Sequence, residues 1–163
     1  MVMLKAAGLG IPPTSAPDFF DIMPDGKPAL RTKGANALIQ RSGIIRVEVE
    51  DGKDYCRVTM TRLDNGYRES VIYTDEEARQ SHLIKDGKEN SAWNRFPVDM
   101  RYNRAFARCA RRVAPDIIGG MPLTTELEEL RDSRSRRPAP DECDHFAAVA
   151  GDVACPTCGE VLK

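Results

Sequence analysis

Apolar and polar residues alternate through the middle of the chain and recur at helical spacing on either side of it. Ile45, Val47 and Val49 alternate with Arg46, Glu48 and Glu50, which predicts a half-buried strand. Asp51-Gly52 marks a turn, Tyr55 to Arg62 a second strand, Asp64-Asn65-Gly66 a second turn, and Tyr67 to Tyr73 a third strand. The three make an antiparallel meander. Thr74 then stands where a helix N-cap belongs, with Glu77 spaced to complete a capping box, and the helix is expected to reach His82 or Leu83.

The strongest helical period lies in the last third of the core, from Pro97, which suits a first helical turn, to Pro115, which the helix must stop before. At about 100° per residue, Arg101, Arg104, Arg108, Arg111 and Arg112 fall within roughly a quarter of the circumference. Tyr102, Ala105, Phe106, Cys109 and Val113 fall on the opposite side. One face is therefore expected to pack on the core and the other to present guanidiniums, with Asp99 the local counter-charge.

The flanks are weaker. Val2 to Leu9 reads as a short helix stopped by Gly10 and two prolines, Phe19 to Met23 as an extended piece, and Pro24-Asp25-Gly26 as a turn. From Pro28 to about Arg41 the pattern predicts a helix ended by Gly43, with Leu30, Ala37 and Leu38 inside and Arg31, Lys33, Gln40 and Arg41 outside. Ile84 to Ser91 is a polar loop, and Ile117-Ile118-Gly119-Gly120 closes the domain. Thr124 or Thr125 starts a short acidic helix, Glu126 to Arg131. The expected fold is α+β: a core over residues 1–131, a basic linker over 132–140 with too little apolar content to fold, and a small metal-binding segment over 141–163.

Composition refines this picture in two places. The formal charge of −1 over 163 residues conceals an uneven distribution, so the total says nothing about partners. No apolar run approaches the length of a membrane span, and Met-Val-Met-Leu-Lys-Ala-Ala-Gly is too short and weakly apolar for a secretory signal, so a cytoplasmic protein is expected. The five cysteines divide in the same sense. Cys56 and Cys109 occupy inward positions of a strand and a helix and read as small buried hydrophobes; the other three cluster at the C-terminus with a histidine.

That cluster has metal spacing. Cys143 and His145 are followed, after nine intervening residues, by Cys155-Pro156-Thr157-Cys158-Gly159. In such a turn two thiolates converge on one ion while backbone N–H groups point at the sulfurs. Two ligand pairs with a short loop between them form a closed tetrahedral Zn²⁺ site. A segment too small for a core would draw most of its folding free energy, on the order of 10 kcal/mol, from the metal. Asp141, Glu142 or Asp144 could stand in for His145. Four protein ligands leave no open position, so the zinc is structural rather than catalytic.

The arginine row admits two readings. Exposed like charges at helical spacing repel by a few tenths of a kcal/mol per pair, which a phosphate backbone would relieve; a solvated face whose arginines pair with carboxylates elsewhere in the chain satisfies the same spacing. Enzyme chemistry finds little support. Pro24-Asp25 followed by Asp51-Gly52-Lys53 imitates a nuclease pattern, but Asp51-Gly52 sits where a hairpin must turn rather than on a strand beside Mg²⁺. There is no phosphate-binding Gly-rich loop with Lys-Ser or Lys-Thr, and neither His82 nor His145 has a nucleophile's context.

In order and spacing, several segments resemble the RecT-type single-strand annealing proteins of phages: Leu9-Gly10-Ile11-Pro12-Pro13, Gly26-Lys27-Pro28-Ala29-Leu30, Arg41-Ser42-Gly43, Trp93-x-x-Phe96-Pro97-x-x-Met100-x-x-x-Arg104-Ala105, Ala110-Arg111, and Ala114-Pro115-Asp116-Ile117-Ile118-Gly119-Gly120. The resemblance covers roughly residues 4 to 130. It implies a protein without turnover chemistry that binds single-stranded DNA and its annealed duplex, forms a homo-oligomer (ring or helical filament), and anneals strands without ATP beside an exonuclease and a host single-strand-binding protein. On this chain it points to Arg101, Arg104, Arg108, Arg111 and Arg112 as backbone contacts, with Arg95 and Lys85 or Lys88 as lesser candidates. Trp93 and Phe96 become candidates for base stacking, although a lone Trp before a helix also serves as a core anchor. The chain departs from the family in a short N-terminal region and in ending on a zinc knuckle. The alternative is a zinc-knuckle adaptor or transcription regulator that binds nucleic acid without annealing it.

Overall fold

A computed structural model describes residues 2–23, 26–84 and 91–125, all within one compact unit, Met1–Leu127. Helix α1 (Val2–Gly8) is followed by a single 3-10 turn, Pro13–Ser15, and a one-turn helix α2 (Ala16–Phe19). Strands β1 (Phe20–Ile22) and β2 (Pro28–Leu30) pair antiparallel, and α3 (Thr32–Ser42) leads into the meander β3 (Ile45–Asp51), β4 (Tyr55–Arg62) and β5 (Arg68–Thr74). Three helices follow: α4 (Asp75–Gln80), α5 (Ala92–Arg95) and α6 (Pro97–Val113). The fold is thus mixed, a three-stranded antiparallel sheet packed with helices. Among the described residues no helix is long and apolar enough to cross a membrane.

The meander and α6 make the core. The register runs one to one, Val47 opposite Met60 and Val49 opposite Val58, then Cys56 opposite Tyr73 and Val58 opposite Val71. Side chains alternate across a pleated strand, so Cys56, Val58, Met60, Val71 and Tyr73 share one face, and each is buried. Against them α6 lays Ala105, Phe106, Cys109, Ala110 and Val113, all buried. Phe106 is fully enclosed, a burial worth about 1.5–3 kcal/mol. The cysteines behave as small hydrophobes: burial pushes the Cys56 thiol up to about 12 and that of Cys109 to about 11.

Two sequence expectations are corrected at α3. The helix begins at Thr32, not Pro28, because Pro28-Ala29-Leu30 is a fully buried strand held by β1 on one side and by a parallel bridge from Leu30 to Leu123 on the other. With the start moved, the inward face becomes Gly34, Ala35, Leu38 and Ile39, and Ala37 is exposed. Gly43 ends the helix as expected, in the left-handed conformation at φ 68°. Helix α4 also stops earlier than His82, at Gln80.

Distant segments close the unit. Arg41, expected outside, donates from Nη1 to the Gly10 carbonyl at 2.8 Å and from Nη2 to the Leu9 carbonyl at 2.5 Å, tying α3 to the turn after α1. Leu9 lies so near Gly119 that a Cβ there would come within 2.9 Å of its Cδ2, and Gly119 has φ +63°. The N-terminal turn, the end of α3 and the loop after α6 are therefore packed as one corner of the fold.

Candidate nucleic-acid interface

Helix α6 divides its arginines by depth. Arg101 is 3% and Arg104 2% exposed, so the uniform outward row expected from the spacing is not what forms. Arg101 places Nη1 at 2.8 and 2.9 Å from the two carboxylate oxygens of Asp75. Arg104 donates to the carbonyl of Thr125. Neither side chain reaches the surface from there, and the assignment of these two as phosphate contacts is corrected on that ground. For Arg101 the reason lies in α4, whose first-turn Asp75 supplies the counter-charge; for Arg104 it lies in the segment after α6, which brings the Thr125 carbonyl over it.

The remaining arginines are more accessible. Arg108 pairs with Glu77 and lays its guanidinium over the Tyr73 ring, 4.8 Å from the centroid. Glu77 thus gives its backbone N–H to Thr74 Oγ1 at 3.1 Å, the expected cap, and its carboxylate to α6. Arg112 bonds Glu69 at 2.7 Å with its own side chain more than half exposed, and Arg111 is exposed beside it in the last turn. The exposed pairs are worth no more than about 1 kcal/mol each, so a phosphate can compete for these cations in a way it cannot for Arg101.

At the other end of α6 the two aromatic candidates differ in depth. Trp93 is 5% exposed, with its ring 5.9 Å from that of Tyr73, and is the core anchor rather than a stacking platform. Ser91 caps its helix by accepting from Asn94 N at 3.2 Å, which turns Trp93 inward. Phe96, between α5 and Pro97, is 54% exposed, and Arg95 holds its guanidinium 5.5 Å from the Phe96 centroid. Arg95 is itself exposed.

One positioning residue was not singled out from the sequence. Arg62, at the end of β4, donates to Asp116 at 2.7 Å, to Asp64 at 2.7 Å and to the Val113 carbonyl at the C-terminus of α6. Its guanidinium holds the carboxyls of both Asp64 and Asp116 below the usual range. A cation on the last carbonyls also suits the helix dipole. The signal was present in the aspartates that follow it, Asp64 in the turn and Asp116 after Pro115.

The outer face of the sheet is polar and charge-balanced. An open groove of about 530 Å³ there is lined by Glu48, Glu50, Arg57, Arg68, Thr59 and Ser70, with Arg57 on Glu50 at 2.7 Å and Arg68 on Glu48 at 3.3 Å.

Lys85, Lys88 and the proposed zinc ligands Cys143, His145, Cys155 and Cys158 lie outside the described residues, as do the linker and the acidic helix. Among the described residues no group of three or more His, Cys, Asp or Glu side chains is arranged to hold a metal ion. Compared with known proteins, the chain matches no family model and no curated sequence.

Proposed function

We propose that the protein binds single-stranded DNA along the exposed side of α6 and anneals complementary strands without ATP, as a homo-oligomer acting in the cytoplasm. The observation that carries the reading is the exposed Arg95–Phe96 pair at one end of α6, with exposed Arg111 and Arg112 at the other. An exposed ring beside a guanidinium suits one base and its phosphate. The 17-residue helix separates that pair from the terminal arginines by about 25 Å, a length over which a strand can be held by its backbone while its bases stay open to pairing. Resemblance to the RecT-type annealing proteins supports the annealing step and the expectation of an exonuclease and a single-strand-binding protein as partners. In this reading the C-terminal cysteines and His145 hold a structural Zn²⁺.

Mixing complementary labelled oligonucleotides with the protein, in the absence of nucleoside triphosphate, tests the proposal. Faster pairing than in buffer supports it. Tight, sequence-specific duplex binding without acceleration of pairing would replace it with the regulator reading, and magnesium-dependent cleavage would replace it with a nuclease.

A further inference from the structure

Strand β3 is a sheet edge with nothing paired to its outer side among the described residues. Natural edges are blunted by Pro, charged side chains, bulges or short length. β3 runs seven residues, Ile45–Asp51, without Pro or a bulge, so its only guard is the charge of Arg46, Glu48, Glu50 and Asp51, which a partner strand in the right register would neutralise. Its inner face is also incompletely covered. Ile45 is 6% exposed, but Val49, two pleats along on the same face, is 47% exposed. On the outer face Arg46 is exposed and makes no ion pair among the described residues, whereas Arg57, Arg62 and Arg68 of the same sheet each have a carboxylate.

We propose that β3 pairs antiparallel with β3 of a second copy of this chain, about a two-fold axis through Val47, joining two meanders into one six-stranded sheet. A two-fold perpendicular to a sheet keeps each side chain on its own face, so only residues of like parity can stand opposite one another. That leaves few registers, and charge decides among them. Centred on Arg46, two arginines face each other; centred on Glu48, two glutamates do; centred on Val49, Glu48 faces Glu50 twice. Centred on Val47, Arg46 faces Glu48 of the other copy twice, and no like charges are opposed. The same register sets Val49 opposite Ile45 of the second copy and Val47 opposite itself, an apolar stripe over the exposed flank of Val49. The opposite edge, β5, offers no such match: Arg68-Glu69-Ser70-Val71-Ile72-Tyr73-Thr74 sets no opposite charges together about Val71, and α6 already packs on its inner face.

A two-fold contact closes on a dimer, so this interface rests on the homo-oligomer of the proposed function only as its paired unit, a ring or filament needing a further contact; its test uses no nucleic acid, so its failure leaves the annealing reading standing. Sedimentation velocity on the full chain measures the assembly. The expected result is a dimer or a multiple of it, halved in mass by Arg46→Glu, which sets like charges opposite Glu48, and likewise by Glu48→Arg. Mixing the two variants should restore the parent mass, because each then meets its opposite, and far-ultraviolet circular dichroism should report both as folded. A monomeric parent, an assembly that neither variant shifts, or variants that fold but do not recombine on mixing would each overturn the proposal.

Discussion

Arg101 meets Asp75 across 26 residues of chain, Nη1 within 2.9 Å of both carboxylate oxygens, and the arginine side chain is 4% exposed. The pair joins the first turn of α4 to the middle of α6. Removing one member of a buried pair strands the other charge, a loss of about 3–5 kcal/mol, whereas replacing both by apolar groups is often neutral. Asp75→Ala should therefore destabilise by about that amount in urea unfolding. The double variant Asp75→Leu with Arg101→Met should recover most of it. The same double variant should keep its affinity for oligonucleotides, since the arginine it removes does not reach the surface.

Trp93 and Phe96, three positions apart, should separate folding from binding. Trp93→Ala empties a buried site and should cost about 3–5 kcal/mol. Phe96→Ala, at an exposed ring, should leave stability within about 0.5 kcal/mol. If Phe96 stacks on a base, its loss should weaken single-strand binding by about 1–3 kcal/mol, read by fluorescence anisotropy. A Phe96→Ala variant with unchanged affinity would remove the stacking role.

These contrasts mark what the residue pattern could convey. Alternation from Ile45 to Tyr73 predicted the meander because a sheet with one wet face writes its period into the sequence. Thr74, Pro97 and Gly43 marked helix ends because each acts through its own local chemistry. Pro28-Ala29-Leu30 was mistaken for helix because a strand buried on every side carries no period, and its partner Leu123 is far away in sequence. The arginines of α6 share a helix face, but their depth depends on where α4 and the segment at Thr125 come to lie, which spacing along α6 does not contain. Glu77 was expected to complete the capping box of Thr74 and Asp75 was not singled out; only tertiary packing aims them at Arg108 and Arg101.

Salt should report how many arginines grip phosphate. For single strands, log K falls against log salt with a slope of about −0.7 per phosphate contact. Arg95→Gln and Arg111→Gln should each make that slope shallower by about 0.7, without a change in melting temperature beyond a degree or two. A slope that neither substitution moves would place the strand elsewhere on the molecule.

Zinc content can be checked independently of DNA. Full-length protein purified without chelator should carry about one Zn²⁺ per chain by atomic emission, and Cys155→Ser with Cys158→Ser should abolish it. An unchanged metal ratio in that variant would remove the cysteine assignment.

Acid should loosen the corner where β1 meets the end of the core. Asp21 accepts from Arg31 Nε at 2.8 Å and from Thr124 Oγ1 at 3.1 Å, bridging residues 103 apart. The Arg31 guanidinium, its main cause, holds the Asp21 carboxyl below its ordinary value of 3.8. A carboxyl with a depressed folded pKa stabilises the fold above its unfolded value, and the gain is lost as pH falls through the folded value. Asp64 and Asp116, lowered by Arg62, act in the same direction. Stability should therefore be flat above about pH 5 and fall below about pH 4. Asp21→Asn should cost about 1 kcal/mol at neutral pH, since Arg31 and Asp21 are each about a third exposed. The gap between variant and parent should close as the solution is acidified, because protonation removes from the parent what the substitution has already removed. A gap that stays constant from neutral pH to about pH 2 in urea titrations would mean that the Asp21 charge contributes nothing to the corner.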